Sequence, residues 1–470
     1  MQGDGPLTEY TSAERRMLLM ACCISAFITP LLSTMMNLSL VGIGEDFSVG
    51  SHDLAYVNTA FLLSSVVFMV PFARYGDTHG KRRTSILGIS VILVACILAS
   101  VAPSFWFLVA CRAVMGAGAA AITCSSMSMI VDVFPIGSRG SAIGAQTTCV
   151  YSGLAIGPAV GGFLNDLFGW HSLFLLIVPL AVASIALFWR FPFEIAPDRG
   201  GGVDVPASAL YGSAILLTMV GVMNMPSPYA FAVLPVGLVL IVLFAVSQSR
   251  STAPILNVRL FRNRVFSASC LAAFLSYAAS YSVSFFMPLY LQHMGQLSST
   301  EAGIMMLVQP AMQVLLTPVA GRMSDRIRDK RLLPTLGMVL VGIGVSMIAT
   351  YGTEPSLALV ASTLVVIGVG HSLFSAPNTS VIMSSVDGSH TGDASAMAGV
   401  MRQTGMMVSM GVSMLLISVV MGSADNIVPE TYGSFMDVMT GTALLCLAMC
   451  AVGAVASAMR GGPGASEGKG

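Results

Sequence analysis

Charge is what this chain has least of. Only 9% of its 470 residues are Asp, Glu, Lys or Arg, and the net charge is zero; soluble domains carry about 25% charged residues. With 55% of the residues hydrophobic, a soluble fold would need an implausibly large dry core. Zero net charge implies no polyanionic partner. The basic residues form short clusters rather than a groove, which excludes nucleic-acid binding. Cys22, Cys23, Cys96, Cys111, Cys124, Cys149, Cys270, Cys446 and Cys450 nearly all fall inside apolar runs. No CxxC pair or Cys/His cluster occurs, so disulfides and metal sites are disfavoured and the thiols read as small packing residues. No GxxxxGK[ST] loop and no nucleophile constellation is present, so neither an enzyme, a cofactor nor transport driven by the chain's own ATP hydrolysis is expected. No separate signal peptide is expected either, since Met17 begins a run too long for one.

What the chain does have is apolar runs long enough to cross a bilayer, each needing about 20 residues. They fall near 17–41, 55–72, 85–102, 105–131, 142–164, 171–190, 206–224, 229–248, 266–290, 301–321, 333–351, 356–384, 395–421 and 434–459. Fourteen spans are therefore expected, in an all-α membrane protein. Twenty of the 22 Lys and Arg residues fall in alternate connecting segments. These are Arg15, Arg16; Arg74, Lys81, Arg82, Arg83; Arg139; Arg190, Arg199; Arg250, Arg259, Arg262, Arg264; Arg322, Arg326, Arg328, Lys330, Arg331; Arg460 and Lys469. The other two, Arg112 and Arg402, lie within spans, and the opposite connections carry acids such as Glu45, Asp46 and Asp53. By the positive-inside rule both termini are cytoplasmic, in a cell membrane.

The sequence repeats itself once. Ala73 to Arg83 (ARYGDTHGKRR) joins spans 2 and 3, and a weaker copy, Gly321 to Arg331 (GRMSDRIRDKR), follows span 10. Asp77 aligns with Asp325. The offset of eight spans fits two six-helix bundles with spans 7 and 8 inserted between them. The expected organisation is a tail over 1–16, bundles over 17–190 and 266–459, a linker with the two extra spans over 191–265, and a tail over 460–470.

Several residues carry candidate chemistry. In the first basic turn Gly76 and Gly80 permit a tight bend. Asp77, with Arg74 and Arg82, either latches the cytoplasmic side across the two halves or merely sets topology. Gly153, Gly157, Pro158, Gly161 and Gly162 lie within ten residues of span 5 (GLAIGPAVGG). They read either as a kinked seal on a central path or as generic small-residue packing. Arg112 lies about 10 Å into span 4. It either meets an anionic group, backbone carbonyls or a polar neighbour in function, or glues helices; its charge is permanent, so it carries no proton. His371, mid-span, is either a proton carrier or a hydrogen-bonded structural histidine. No acid lies deep in any span; Asp132, Asp166 and Asp437 sit near ends. A weakly polar cavity is expected from Thr34, Asn37, Asn58, Gln146, Tyr151, Tyr277, Tyr281, Gln309, Gln313 and Asn378. The 32 methionines and the aromatics would give it soft walls.

From about Ile24 to about Leu416 the chain resembles the major facilitator superfamily, in particular its fourteen-span drug:proton antiporter branch. The first basic turn is similar to the superfamily loop signature, with Ala73 in place of Gly and Thr78 in place of a frequent Arg. Arg112 with Met115, Gly116 and Gly118 resembles the span-4 signature linked to proton handling. The span-5 glycines with Pro158 resemble the antiporter signature and are the most specific match. Trp170, Phe174 and Pro179, FFMPLYLQHMGQLSSTEAG (285–303) and MRQTG (401–405) also resemble that branch. One departure stands out: Leu32 and Val41 stand where the branch's span-1 signature carries Asp and Pro, while Asn37 is retained.

The resemblance implies alternating access and export of small hydrophobic or cationic compounds, driven by protons entering. Without the span-1 acid, coupling would fall to Asp77, Asp132, His371 or a substrate group. The expected partners are a small-molecule substrate, protons and the lipid bilayer, with the chain a monomer. The rival expectations are a metabolite exporter, lipid translocator or facilitator with other or no ion coupling, and a non-transporting membrane sensor.

Overall fold

The computed structural model describes residues 10–195, 204–251, 254–327, 329–386, 391–422 and 427–460. Arg199, Arg328 and Lys469 of the basic census, and most of both tails, lie outside them. The described helices are α1 (Ser12–Met35), α2 (Leu40–Phe47), α3 (Ser51–His79), α4 (Lys81–Ala99), α5 (Phe105–Val133), α6 (Ile136–Phe168), α7 (His171–Arg190), α8 (Val205–Met223), α9 (Ala230–Arg250), α10 (Arg264–Leu289), α11 (Ser299–Met306), α12 (Val308–Arg326), α13 (Leu332–Ile348), α14 (Leu357–Ser384), α15 (Thr391–Val420) and α16 (Tyr432–Ala458).

Thirteen membrane-length helices correspond to expected spans, and α13, at 17 residues, is the remaining one. Many are longer than the apolar runs. The first span runs on through a short 3-10 turn (Met36–Ser39) into α2, and α6 continues past the apolar limits at both ends. Polar residues can extend a helix beyond the hydrocarbon, where hydropathy no longer marks its end.

Helices α1 to α7 pack with one another, as do α10 to α16. In lipid there is little hydrophobic gain from burying one apolar helix against another, so close backbone approach supplies much of the contact. The repeat is visible in that packing. A Cβ on Gly88 of α4 would lie 2.7 Å from the carbonyl of Gly118 in α5, and one on Gly337 of α13 would lie 2.6 Å from that of Gly370 in α14. Each half thus has a glycine-to-glycine crossing at the same place.

The inserted pair α8–α9 sits beside both halves: α8 packs on α3 and on α15. The Tyr211 hydroxyl donates to the Val66 carbonyl at 3.2 Å, the Tyr56 hydroxyl donates to Asn224 Oδ1 at 3.3 Å, and Val222 lies against Gly411.

The halves meet along α3–α15 and along α6 with α11 and α12. On the acid-bearing side the second seam is tight. The space a Cβ would need on Gly162 is filled by the Ser299 backbone, and that on Gly303 by the Pro158 carbonyl. Asp166 Oδ2 accepts from the Thr300 amide at 2.7 Å and Oδ1 from the Ser299 amide at 3.1 Å, capping α11 from the opposite half. Asn165 Nδ2 donates to Ser299 Oγ at 2.9 Å, and Gln292 Nε2 to the Leu38 carbonyl at 3.2 Å. Toward the basic side, Gly144 of α6 and Gly321 of α12 have nothing within 4 Å of where a Cβ would stand.

Gly162→Val is therefore expected to hold the acid-bearing side apart while leaving the N-terminal bundle folded. In a Gly42→Cys background, reaction with a membrane-impermeant maleimide should rise severalfold when Gly162→Val is added. Unchanged labelling would refute this account of the seal.

Candidate functional site

Arg112 is fully buried. It rises from α5, itself capped by Ser104. Its Nε donates to the Val57 carbonyl of α3 at 3.1 Å and its Nη1 to the Leu32 carbonyl of α1 at 3.4 Å. The guanidinium lies 4.6 Å from the centre of the Phe61 ring. Hydrogen bonds to a charged donor are worth about 1.5–3 kcal/mol each, and a desolvated cation–π contact about 2 kcal/mol. Together these offset the roughly 3 kcal/mol that an arginine costs at a span centre on insertion scales. Helix gluing thus explains the side chain's presence. It does not explain Nη2, a buried donor without a partner. Tyr281 of α10 approaches this guanidinium and Ser33 from the other half.

A second cluster gathers between α6, α10, α14 and α15. Tyr151 of α6 interacts with Ser375, Tyr277 and Arg402, all of the other half. His371 stacks obliquely on Tyr277 with ring centres 5.8 Å apart, and its Nε2 is 2.8 Å from Ser280 Oγ. The Ser280 hydroxyl gives its one proton to the Ser276 carbonyl at 2.7 Å. His371 must then be the donor of that pair, which places a proton on Nε2. Gln403 joins the halves nearby through Ser65 at 3.1 Å. Close by, an apolar crevice of about 450 Å³ opens between Phe261, Leu271 and Phe274 and the α15 residues Met401 and Thr404.

The expected cavity lining is only partly assembled. Tyr151, Tyr277 and Tyr281 converge, while Gln309 and Gln313 are half-buried on α12. Asn378 corrects the expectation. It is buried and braced, its Nδ2 donating to the Ser269 carbonyl at 3.2 Å and its Oδ1 accepting from Arg460 Nη2 at 2.5 Å. Its amide is consumed in tying α14 to α10 and to the end of α16. Asn37 and Asn58 pair with each other at 2.8 Å inside one bundle. Thr34 bonds back to the Pro30 carbonyl at 2.9 Å and fills the groove over Gly157. Gln146 is buried with its Oε1 unpartnered. The span-5 glycines divide between two faces: Gly153, Gly157 and Gly161 admit α1, whereas Gly162, with Pro158 beside it, meets α11.

In this conformation the ion pairs of Lys81, Arg82 and Arg83 stay within one half. Lys81 Nζ is 2.6 Å from Asp132 Oδ2. Arg82 and Arg83 flank Glu194 Oε2 at 3.7 and 3.5 Å. Glu194 Oε1 also accepts from the Arg82 amide at 3.0 Å, capping α4. Asp77 and Arg74 are half-buried near the end of α3, where Asp77 faces Cys124 of α5. Gly80 makes the arrangement possible: its φ is +107°, and Glu194 occupies the place of a Cβ. In the second copy Arg331 grips Asp329 with two bonds, at 2.9 and 3.0 Å. These bonds hold the Asp329 carboxyl below the usual carboxylate range. The roles of Glu194 and Asp166 were not read from the sequence, since each bonds a partner more than a hundred residues away and neither sits in a motif.

Gly80→Ala is expected to cost about 1–3 kcal/mol, the usual price of a non-glycine residue in such a conformation. A thermal melt of the purified protein should show a lowered midpoint; an unchanged midpoint would refute the strain argument.

The family model of the Major Facilitator Superfamily matches residues 22–410 and, in a second match, 269–461. The riboflavin transporter RibZ of Clostridioides difficile is 27% identical over 374 residues, 79% of this chain and 82% of that protein. The multidrug efflux pump LfrA of Mycolicibacterium smegmatis is 28% identical over 409 residues, 86% and 81%. Among solved structures, a bacterial homologue of the human lysosomal transporter Spinster, inward-facing and unoccupied, superposes with a TM-score of 0.69 at 15% identity, over 95% of this chain and 97% of that one. A POT family transporter does so with a TM-score of 0.72 at 13% identity, over 93% and 94%. These likenesses concern the fold. With a family model spanning most of its length and a helical architecture to match, this multi-pass membrane chain belongs to the Major Facilitator Superfamily and is a transporter rather than an enzyme.

Proposed function

We propose that the chain exports small amphipathic molecules by alternating access, with its basic side, and both termini, in the cytoplasm. The bundles over 17–190 and 266–459 would rock against each other around the mid-membrane polar clusters. The observation that carries this reading is the meeting of groups from both halves at that level: Tyr281 with Arg112 and Ser33, and Tyr151 with Ser375 and Arg402. A rigid-body movement would break such contacts and remake them around a solute. The tight α6–α11 contact would be the extracellular gate, closed in this conformation. Relatives described as a multidrug efflux pump and as a tetracenomycin C resistance and export protein support the export direction.

Proton antiport belongs to the same proposal. No Asp or Glu lies deep in a helix, so the coupling proton would use His371, or Asp77 and Asp132 at the basic face. Asp132 is already held by Lys81. His371 bonds Ser280 and packs on Tyr277, which approaches Tyr151 of the other half, and it is the better placed of the three. The second reading, an exporter or facilitator of an endogenous metabolite with other or no ion coupling, draws on that missing acid and on a relative described as a riboflavin transporter.

In liposomes carrying an imposed pH gradient, solute and proton fluxes should run in opposite directions. Arg112→Ala is expected to abolish solute flux while the protein still inserts, and His371→Ala to uncouple protons from solute. Solute flux indifferent to the gradient would remove proton antiport and favour the second reading. Full activity of Arg112→Ala would remove that residue from the mechanism.

A further inference from the structure

The fixed charges of the membrane interior have one sign. All 22 acidic residues of the sequence lie in tails, in connections or near the ends of helices. Even Asp393 and Asp437 stand in the first two turns of α15 and α16. Two arginines lie deeper, Arg112 in α5 and Arg402 in α15. Arg112 has neither a carboxylate partner nor an acceptor for Nη2 among the described residues. Arg402 is exposed, yet its charge acts on Tyr151 of the opposite half. The next residue, Gln403, bonds Ser65 of the opposite half at 3.1 Å, which puts this stretch of α15 at the seam between the halves. Tyr281 faces Arg112, Tyr151 lies near Tyr277 and Arg402, and each of these tyrosine hydroxyls can donate a hydrogen bond.

Resting on the export reading, we infer that this transporter selects anionic amphipathic solutes. Arg402 meets the anionic group, Arg112 supplies a fixed positive charge deeper in the membrane, and the apolar part of the solute lies against the methionine- and phenylalanine-rich walls. A buried positive charge without a counter-ion attracts an anion and repels a cation across a low-dielectric interior, as arginine rings do in anion pores. A solute carrying a carboxylate, sulfonate or phosphate would supply the charge that the protein omits. A cation would face two like charges with no carboxylate to neutralise it, and selectivity follows as much from that repulsion as from the attraction. The cationic part of the substrate range expected from the resemblance is what this electrostatic arrangement disfavours.

The test uses two dyes built on one xanthene ring: fluorescein, an anion at neutral pH, and tetramethylrhodamine ethyl ester, a permanent cation. Binding to the full-length detergent-solubilised protein is read by fluorescence polarisation, and flux by reconstitution into liposomes. Fluorescein should bind more tightly than the rhodamine. Arg402→Gln should weaken fluorescein binding by about ten-fold or more, as expected for loss of one partly screened charge pair, while Arg402→Lys largely preserves it. Equal or tighter binding of the cation, binding of neither dye, or fluorescein affinity untouched by Arg402→Gln would each overturn the inference. Selective fluorescein binding without flux under any gradient would leave the charge selectivity standing and sink the export reading instead.

Discussion

Helices in a bilayer cannot be held together by hiding apolar surface from water, since the lipid is as apolar as they are. The architecture here depends on how closely backbones approach, and small residues at crossings decide that. Gly88 with Gly118 and Gly337 with Gly370 join equivalent helices in the two halves. Gly153, Gly157 and Gly161 seat α6 on α1, and one residue further Gly162 turns the same helix toward α11. That last contact differs in kind from the others because it crosses between halves. If this seam is the gate proposed above, Asp166 capping α11 across it suits a contact that opens and closes: it is directional, charged and readily exchanged for water.

Polar chemistry is rationed accordingly. Arg112 spends two donors on helix carbonyls and a cation–π contact on Phe61, which makes it affordable in the membrane. The donor left over and the tyrosines from both halves are the groups that the proposed export mechanism would use. At the basic face the balance is different. Acids are present there, and they are paired: Asp132 with Lys81, Glu194 with Arg82 and Arg83, Asp329 with Arg331. Acids thus neutralise arginines and lysines at the membrane surface, while Arg112 has no carboxylate partner among the described residues.

The span count, the repeat and the family resemblance were legible because each rests on local composition: hydropathy over about twenty residues, a basic cluster, a run of glycines. Side-chain roles were less legible, and Asn378 shows why. A polar residue in a span must face something other than lipid, and the sequence says so. Whether that partner is a cavity or another side chain depends on which helices lie alongside. The partner here is Arg460, 82 residues away. Asn37 and Asn58 pair with each other inside one bundle, and Thr34 bonds back to its own helix, contacts that hydropathy and spacing do not specify.

What the sequence alone determined is the class of molecule: an all-helical, multi-spanning protein with a duplicated plan, two interior arginines and no interior acid. Those properties follow from residue types at spacings a single helix or turn can read. What only the tertiary structure decided is which polar residues are bonded to neighbouring helices and which keep an unpartnered group, as Arg112 Nη2 does. It also decided that α6 closes on α11 on the acid-bearing side and that α8 straddles both halves. The physical reason is that a helix presents its residues around a full circle. Only packing against particular neighbours determines which arc of that circle meets lipid, another helix or the space between the halves.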